Sequence, residues 1–325
     1  MLKPEIEGCR AALADPAFRA DVLAGFASRP RAIPARWFYD LRGSQLFEAI
    51  TDLPEYYPTR TEAAILRGAG AAIANAVGPG RAVVEFGSGS SAKTPLLLGA
   101  IAPAAYVPID ISGDFLRASS LTLAGLFPGL PVLPIEADFM HPIALPPAIA
   151  GSPKLGFFPG STIGNMIPAS AVDLLRAMRL WLDTGAMLLI GMDRLKSPEI
   201  LVPAYDDAQG VTARFNLNLL ERINGELGGT IPVEAFRHRA IWNDMRARIE
   251  MHLEATRDVV FTIAGHAFEM AAGETIHTEN SHKYGERDAR ILLRAGGWTP
   301  IDEWTDEAGK FAVILAEAQP PRTAP

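Results

Sequence analysis

The sequence predicts an α/β chain, in which a parallel sheet covered by helices is flanked by segments of another pattern, helical before it and of mixed helix and strand after it. Three observations predict it. Between residues 82 and 192 short apolar runs alternate with helical segments, the βα pattern of a parallel sheet. Within that stretch Val83-Val84-Glu85-Phe86 breaks into Gly87-Ser88-Gly89-Ser90-Ser91-Ala92-Lys93-Thr94 and then resumes as a helix. Past Pro203 the apolar period changes, first to that of a helix and then to that of a half-buried strand.

In chain order, the first 60 residues read as helical with proline interruptions, and Thr59 with Glu62 reads as a capping box that starts a helix running to about Val77. Strands follow at 82–86, 105–109, 131–135, 155–158 and 186–191, with helices at 92–101, 113–126 and 169–182 between them. Prolines around 196–203 mark a crossing. Val211, Phe215, Leu219, Ile223 and Leu227 then recur every four residues, one apolar stripe of an amphipathic helix. Ile249, Met251 and Leu253 alternate with Arg248, Glu250, His252 and Glu254, the mark of a strand with one buried face. The segment 236–282 reads as an antiparallel meander. A helix at 288–295 and short runs at 300–304 and 311–316 return to the first sheet as a terminal hairpin, and the proline-rich tail 319–325 reads as disordered.

The bulk properties bound the function. At 325 residues the chain accommodates two domains, and 49% hydrophobic with 21% charged residues describes a globular protein. A net charge of −7 without a long basic run argues against nucleic acid and for a small partner. The one cysteine, Cys9, forms no internal disulfide, and no Cys/His set has zinc spacing, so no metal is expected. The first residues carry acids and prolines where a signal peptide is apolar, and no run approaches membrane-spanning length, so the cytoplasm is the expected compartment.

The glycine turn points to a nucleotide-like cofactor, because Gly87 and Gly89 let a ligand approach the backbone and the next helix offers its N–H groups. Two cofactor classes fit. Ala92 in the third glycine position and Asp110 about 20 residues on satisfy the dinucleotide fingerprint. Glu85 just before the turn favours S-adenosylmethionine, whose ammonium it would pair with, while a pyrophosphate would be repelled. Ser88 belongs to the same turn. Asp110 ends the second strand, where a carboxylate accepts ribose hydroxyls, and Asp138-Phe139 ends the third, where an adenine meets a polar side chain and an apolar edge. Lys93 is placed to reach a cofactor carboxylate, or is simply exposed. After the fourth strand comes Phe157-Phe158-Pro159-Gly160-Ser161-Thr162-Ile163-Gly164-Asn165; Asn165 both donates and accepts, which suits an amino acid or a helix-capping turn. Alternation in 275–281 puts His277, Glu279 and Ser281 on one face, a grip for a two-nitrogen ring or a solvated polar face. Tyr56 and Tyr205 lie outside the sheet domain.

Over nearly its whole length the chain resembles the histidine Nα-methyltransferase family of ergothioneine biosynthesis. The stretches that carry the resemblance are Trp37-Phe38-Tyr39-Asp40, Leu53-Pro54-Glu55-Tyr56-Tyr57-Pro58-Thr59-Arg60, the loop 160–165, Tyr205-Asp206-Asp207 with Gly210-Val211-Thr212, Arg248-Ile249-Glu250-Met251, and Thr278-Glu279 with Ser281. The resemblance implies a class I, Rossmann-like methyltransferase domain (62–198 with 286–318) interrupted by an α+β substrate-binding domain (1–61 with 199–285), formed by the N-terminal segment and an insertion, that closes over the substrate. It implies S-adenosylmethionine contacts at Gly87, Lys93, Asp110, Asp138 and Phe139; Glu85, Ser88 and Gly89 join them from the reading of the turn. Tyr56, Asn165 and Tyr205 would hold the carboxylate and amino groups of L-histidine or its mono- and dimethyl forms, Glu279 and Ser281 would read the imidazole, and Met251 would shape its pocket. Tyr39 would stand near the amine and, with Asn165, at the reacting centre. Asn280 between the two readers and His282 after them depart from the family's usual residues, and alternation points Asn280 away from the ring. The implied protein is a monomer that needs no metal. The alternatives are an N-methyltransferase for another amino acid such as tryptophan, against which Glu279 and Met251 argue, from the turn alone a nicotinamide-dependent dehydrogenase, and a non-catalytic S-adenosylmethionine-binding module, against which the intact substrate constellation argues.

Overall fold

The computed structural model describes residues 15–89, 91 and 93–320. Its strands in chain order are β1 (Arg31–Ala32), β2 (Ala82–Phe86), β3 (Ala105–Asp110), β4 (Ile135–Glu136), β5 (Lys154–Phe158) and β6 (Met187–Asp193). They continue as β7 (Phe236–Asn243), β8 (Arg248–Ala255), β9 (Val259–Ile263), β10 (His266–Met270), β11 (Thr275–His282), β12 (Trp298–Thr305) and β13 (Phe311–Ala318). The chain divides into two compact units. One combines the described part of Met1–Tyr56 with Ser197–Asn280, and the other combines Tyr57–Lys196 with the described part of Ser281–Pro325. These divisions fall at 56/57, 196/197 and 280/281, against 61/62, 198/199 and 285/286 in the sequence reading, because Tyr57–Val77 is one unbroken helix and Lys283 and Tyr284 bond to Asp193 of β6.

The sheet unit has seven strands in the order β12-β13-β6-β5-β2-β3-β4. All its pairings are parallel except those of β13, which runs antiparallel to both β6 and β12, so the terminal hairpin does return to the first sheet. Alternate residues of each central strand feed opposite layers. Val84, Phe86, Val107, Ile109, Leu188 and Ile190 pack beneath the helix Pro168–Leu182, while Val83, Tyr106, Leu155, Phe157 and Leu189 pack against Tyr57–Val77 and Thr94–Ile101. A strand buried on both faces reads as a continuous apolar run, which is how β2 and β5 were found. Chain order reverses at β2, whose neighbours are β3 and β5, and ligands of such sheets bind beyond the carboxyl ends at that reversal.

Three expected elements came out differently. The strand expected at 131–135 shrinks to β4 and an isolated bridge between Tyr106 and Val132, because Pro131 and Pro134 have no N–H for a ladder. The helix expected to open on a Thr59–Glu62 capping box starts at Tyr57, and Glu62 is fully buried with its Oε2 accepting the Gly160 amide at 2.8 Å. The 236–282 meander is not one sheet: β9 and β10 form their own hairpin, and β11 leaves them to lie between β8 and β1, pairing with β1 in parallel. Ala92 and residues 321–325 of the expected disordered tail lie outside the described residues.

In the other unit the helix Val211–Leu227 lays its whole stripe, Val211 through Leu227, into the core, each of those five side chains no more than 6% exposed. Its start is capped from a distance. Asp207, four residues upstream, accepts the Val211 amide at 2.9 Å and the Thr212 amide at 2.7 Å. Burial pushes that carboxyl's pKa up, but the Thr212 and Val211 amides outweigh it and hold the pKa below the ordinary value. Asp207→Ala is therefore expected to cost ~1–2 kcal/mol, read as a lower urea midpoint at pH 7. Because the folded pKa is depressed, this contribution is present at neutral pH and lost as pH falls through it, so wild type and variant should converge in acid.

Candidate active site

The turn after β2 is built on the end of β3. Gly87 takes φ +69°, and its amide and that of Ser88 both donate to the Ile109 carbonyl, at 2.9 and 3.1 Å. Asp110, the next residue, accepts the Gly89 amide on Oδ2 at 2.8 Å and the Ser112 amide on Oδ1 at 2.9 Å. Burial raises the Asp110 pKa, and the Ser112 and Gly89 amides oppose that rise. A Cβ on Gly87 would meet the Phe139 ring at 3.4 Å, and Phe139 stands edge-on to Phe158 at 5.8 Å. Asp138 turns the loop by accepting the Met140 amide at 2.9 Å. Gly87, Ser88, Gly89, Asp110 and Phe139 thus meet at the carboxyl ends of β2 and β3. The Ser88 hydroxyl is buried with no hydrogen-bond partner among the described residues. A buried hydroxyl left so beside a bare glycine backbone fits a polar ligand of the nucleoside class.

Glu85 and Lys93 are placed otherwise than expected. The side chain of Glu85 shares the face of Val83, not that of the open turn, and its Oε2 accepts the Thr94 hydroxyl at 2.7 Å and the Tyr106 hydroxyl at 2.6 Å. At 1% exposure it cannot meet a ligand ammonium, so its role is to brace the turn from beneath. Burial lifts its pKa from 4.5 to about 7 against the pull of Tyr106, Thr94 and Lys93. Lys93 bonds to Glu62, which also holds the Gly160 amide, so it ties the helix after the turn to the loop after β5. Gly191 makes room for this arrangement, since a Cβ there would lie 2.1 Å from Glu62 Oε1.

The loop after β5 carries Asn165 at the end of a short 3-10 turn, Thr162–Asn165. A Cβ on Gly164 would stand 2.8 Å from the His282 carbonyl, and the Gly164 carbonyl accepts His282 Nδ1 at 2.8 Å. Residues 281 and 282 are therefore seated on the loop that presents Asn165. Beneath them lies a polar cluster that sequence reading missed. Asp193, fully buried at the end of β6, takes Lys196 Nζ at 2.6 Å, Lys283 Nζ at 2.7 Å and the Tyr57 hydroxyl at 2.7 Å, and its amide donates to Ser161 Oγ at 2.9 Å. Burial pushes the Asp193 pKa up, and the charges of Lys283 and Lys196 outweigh it. Burial likewise draws Lys196 down from 10.5 to about 8, against the pull of Asp193. The available signal was Tyr57 and Lys283, each one or two residues from a singled-out position.

In the other unit the aromatic residues form an edge-linked series. Tyr39 meets Phe47 at 5.8 Å and Phe215 at 5.9 Å, Phe47 meets Tyr56 at 6.2 Å, and Tyr56 meets Tyr205 at 6.1 Å. Phe47 and Phe215 supply links that the sequence motifs did not name. Met251 is buried in β8, and its carbonyl accepts the Thr278 hydroxyl at 3.1 Å, which ties it to the strand of Glu279 and Asn280. Asn280 Oδ1 is buried without a partner among the described residues. The structure also brings together Glu250, His252 and His277, their ligand atoms within 4.8 Å of one another. Arg248 already pairs with Glu250 at 2.6 Å, and the two imidazoles stack at 4.9 Å with pKa values lowered by burial.

A sheet of this order, parallel but for β13, with a glycine turn at its reversal point and an aspartate ending the next strand, has the layout of an enzyme that takes a nucleotide-like cofactor, and the relatives decide between the two classes in favour of an S-adenosylmethionine-dependent methyltransferase. The chain belongs to the family described as "Histidine-specific methyltransferase, SAM-dependent", which it matches over residues 18–318. It is 41% identical to a histidine N-alpha-methyltransferase of Mycolicibacterium smegmatis and 40% identical to one of Mycobacterium tuberculosis, each over 92% of this chain and 94% of the relative. It is also 30% identical to ergothioneine biosynthesis protein 1 of Neurospora crassa, over 85% of this chain and 32% of that longer protein.

The brace beneath the turn is open to test. The folded carboxyl of Glu85 keeps its proton up to about pH 7 while an unfolded one releases it near 4.5, so the folded state binds more protons in that window and stability falls as pH rises through it. Glu85→Gln does not titrate. Urea midpoints from pH 4.5 to 7 should show the variant gaining on wild type by roughly 1.4 kcal/mol per unit; parallel curves would rule the buried carboxyl out.

Proposed function

We propose that the protein methylates the α-amino group of L-histidine three times to give hercynine, the first step of ergothioneine biosynthesis, with S-adenosylmethionine as donor. The observation that carries this reading is family membership across 18–318, which spans the glycine turn and every stretch assigned to substrate. S-adenosylmethionine, when bound, supplies a methyl on a sulfonium. The turn residues Gly87, Ser88 and Gly89 hold it by backbone and by the buried Ser88 hydroxyl, Asp110 offers its remaining lone pairs to the ribose, and Asp138 with Phe139 receives the adenine. Lys93 acts through Glu62 by fixing the neighbouring loop.

Tyr56, Tyr205 and Asn165 hold the amino acid's charged end, Glu279 accepts the imidazole N–H, Ser281 bonds the other ring nitrogen, and Met251 walls the ring; Asn280 joins the two readers on their strand and is turned from the ring by alternation. Catalysis is chiefly orientation and exclusion of water, since an amine lone pair in line with the methyl needs no covalent intermediate. A neutral amine is needed; α-amino groups titrate at about 7.7 to 8.0, and free amino acids somewhat higher, so a fraction is ready near neutrality. Tyr39 or water takes the departing proton. No resident metal is called for. The enzyme works as a monomer on the cytoplasmic pool of histidine and of its mono- and dimethyl forms. Among the described residues no helix is long and apolar enough to cross a membrane.

Incubation with S-adenosylmethionine and each of the twenty amino acids should give mass gains of one, two and three methyl groups with histidine alone; equal gains with tryptophan would shift the reading to a broader amino-acid N-methyltransferase. Glu279→Ala is expected to lower kcat/KM for histidine by about 10²-fold or more, because a site built to bond a ring N–H loses its partner. Affinity for S-adenosylhomocysteine by calorimetry should stay within about threefold. Equal losses in both would remove Glu279 from the ring.

A further inference from the structure

His238 stands in β7 with its side chain 1% exposed, and both of its ring nitrogens are engaged. Nδ1 lies 2.8 Å from the side-chain nitrogen of Asn216, and Nε2 lies 2.7 Å from the Tyr205 carbonyl. Asn216 is fully buried on the helix Val211–Leu227, and the same nitrogen donates to the His252 carbonyl at 3.1 Å.

These contacts fix where the ring carries its proton. A carbonyl only accepts, so the Asn216 atom that faces the His252 carbonyl is the donating nitrogen; the flipped amide would set oxygen against oxygen. Asn216 Oδ1 is buried without a partner among the described residues, so the amide is turned by its donors alone. One hydrogen of the nitrogen goes to the carbonyl and the other to His238 Nδ1. An amide nitrogen has no lone pair to offer, so Nδ1 accepts and is bare. The single proton of the neutral ring is then on Nε2, which donates it to the Tyr205 carbonyl. Burial lowers the His238 pKa, against the Tyr205 carbonyl and the charges of Asp206, whose Oδ1 stands 4.0 Å from Nε2, and Asp207.

Tyr205 is thereby held on both sides of its main chain. Its amide donates to the Val202 carbonyl at 2.9 Å, its carbonyl accepts His238 Nε2, and two residues on Asp207 accepts the Val211 and Thr212 amides. The helix Val211–Leu227 thus reaches the tyrosine by two routes, through Asp207 along the chain and through Asn216 and His238 across it. We propose that His238 is a positioning residue for amino-acid binding: fixed by Asn216 as the Nε2–H tautomer, it anchors the Tyr205 main chain and so sets where the tyrosine side chain meets the substrate. The inference rests on the reading above that Tyr205 holds the charged end of the amino acid.

The affinity for L-histidine is measured by calorimetry with S-adenosylhomocysteine present, in a cycle of two substitutions. His238→Leu should weaken binding by about three- to tenfold, the worth of one ordinary hydrogen bond, and Tyr205→Ala by at least as much. In the Tyr205→Ala background His238→Leu should cost less than about twofold, because the side chain it positions is gone. His238→Gln keeps a donor where Nε2 stands and should stay within about twofold of wild type. A merely structural side chain would lower affinity equally in both backgrounds, so an additive cycle overturns the proposal, as does no loss in His238→Leu or a Gln variant no better than the Leu one. Unchanged affinity in Tyr205→Ala would show that the tyrosine does not meet the substrate, and the underlying reading fails first. Should His238→Leu fail to fold, as seen by its melting curve and loss of S-adenosylhomocysteine binding, His238→Asn takes its place in the cycle, since its shorter amide stays polar but falls short of the carbonyl. The tautomer is read directly from nitrogen-15 spectra of labelled wild type. The imidazole whose signals vanish in His238→Gln should carry its proton on Nε2, and a proton on Nδ1 would likewise overturn the proposal.

Discussion

One carbonyl, that of Ile109 at the end of β3, accepts the amides of both Gly87 and Ser88, and the geometry of the cofactor end follows from it. Two consecutive amides can converge on one oxygen only if the chain reverses sharply, which Gly87 allows by its left-handed conformation. The next residue, Asp110, then clamps the Gly89 amide. Two adjacent residues of one strand thus hold three successive residues of the turn. Residues 87–89 cannot move without breaking hydrogen bonds to the end of β3, so the protein's own bonds fix that backbone, and a backbone so fixed lowers the cost of binding.

Among its described residues the sheet unit buries the carboxylates Glu62, Glu85 and Asp193 at 0–1% exposure. Each would be expensive alone, and each is answered by donors that come from different elements: Lys93 and Gly160 for Glu62, Thr94 and Tyr106 for Glu85, Lys196, Lys283 and Tyr57 for Asp193. The answers differ in kind. Glu85 has hydroxyl donors and its pKa climbs, whereas Asp193 has two ammonium groups and its pKa falls. Such groups fasten the loops at the carboxyl ends of the strands, where apolar packing is thin and positions must be reproducible.

How much of this could be read from residues alone depended on the range of the interaction. The α/β sheet, the glycine turn and the stripe Val211 to Leu227 are local patterns, and the structure has them. Asp110 and Phe139 sit where strand ends predicted them. What escaped were pairings between distant residues. Nothing local says that Glu62 turns inward to Gly160, 98 positions away, instead of capping its own helix. Nothing in β1, two residues long, announces that β11 pairs with it in parallel. The position of Glu85 just before the turn suggested a ligand for it but not that its side chain is closed in, since closure depends on Thr94 and Tyr106, themselves unremarkable in sequence. The match of 18–318 to a family, by contrast, was legible because its motifs are ordered along the whole chain.

Repeated methylation of one nitrogen places an unusual demand on whatever holds that nitrogen. An ammonium starts with three N–H donors and a trimethylated product has none, so any grip made of hydrogen bonds to the amine weakens at each turn. Attraction between a cation and an aromatic ring does not depend on N–H groups and survives each methylation. On the proposed reading, the edge-linked series Tyr39, Phe47, Tyr56 and Tyr205, with Phe215 against Tyr39, would supply such surface within one compact unit. Tyrosine adds a hydroxyl that can bond the early, N–H-rich forms, and keeps its ring for the late ones. On the proposed reading, ring recognition at Glu279 and Ser281 would be unaffected by the state of the amine, because those residues would address the imidazole. Separating the constant part of the substrate, read by directional hydrogen bonds, from the changing part, held by aromatic surface, would let a single site serve three successive substrates.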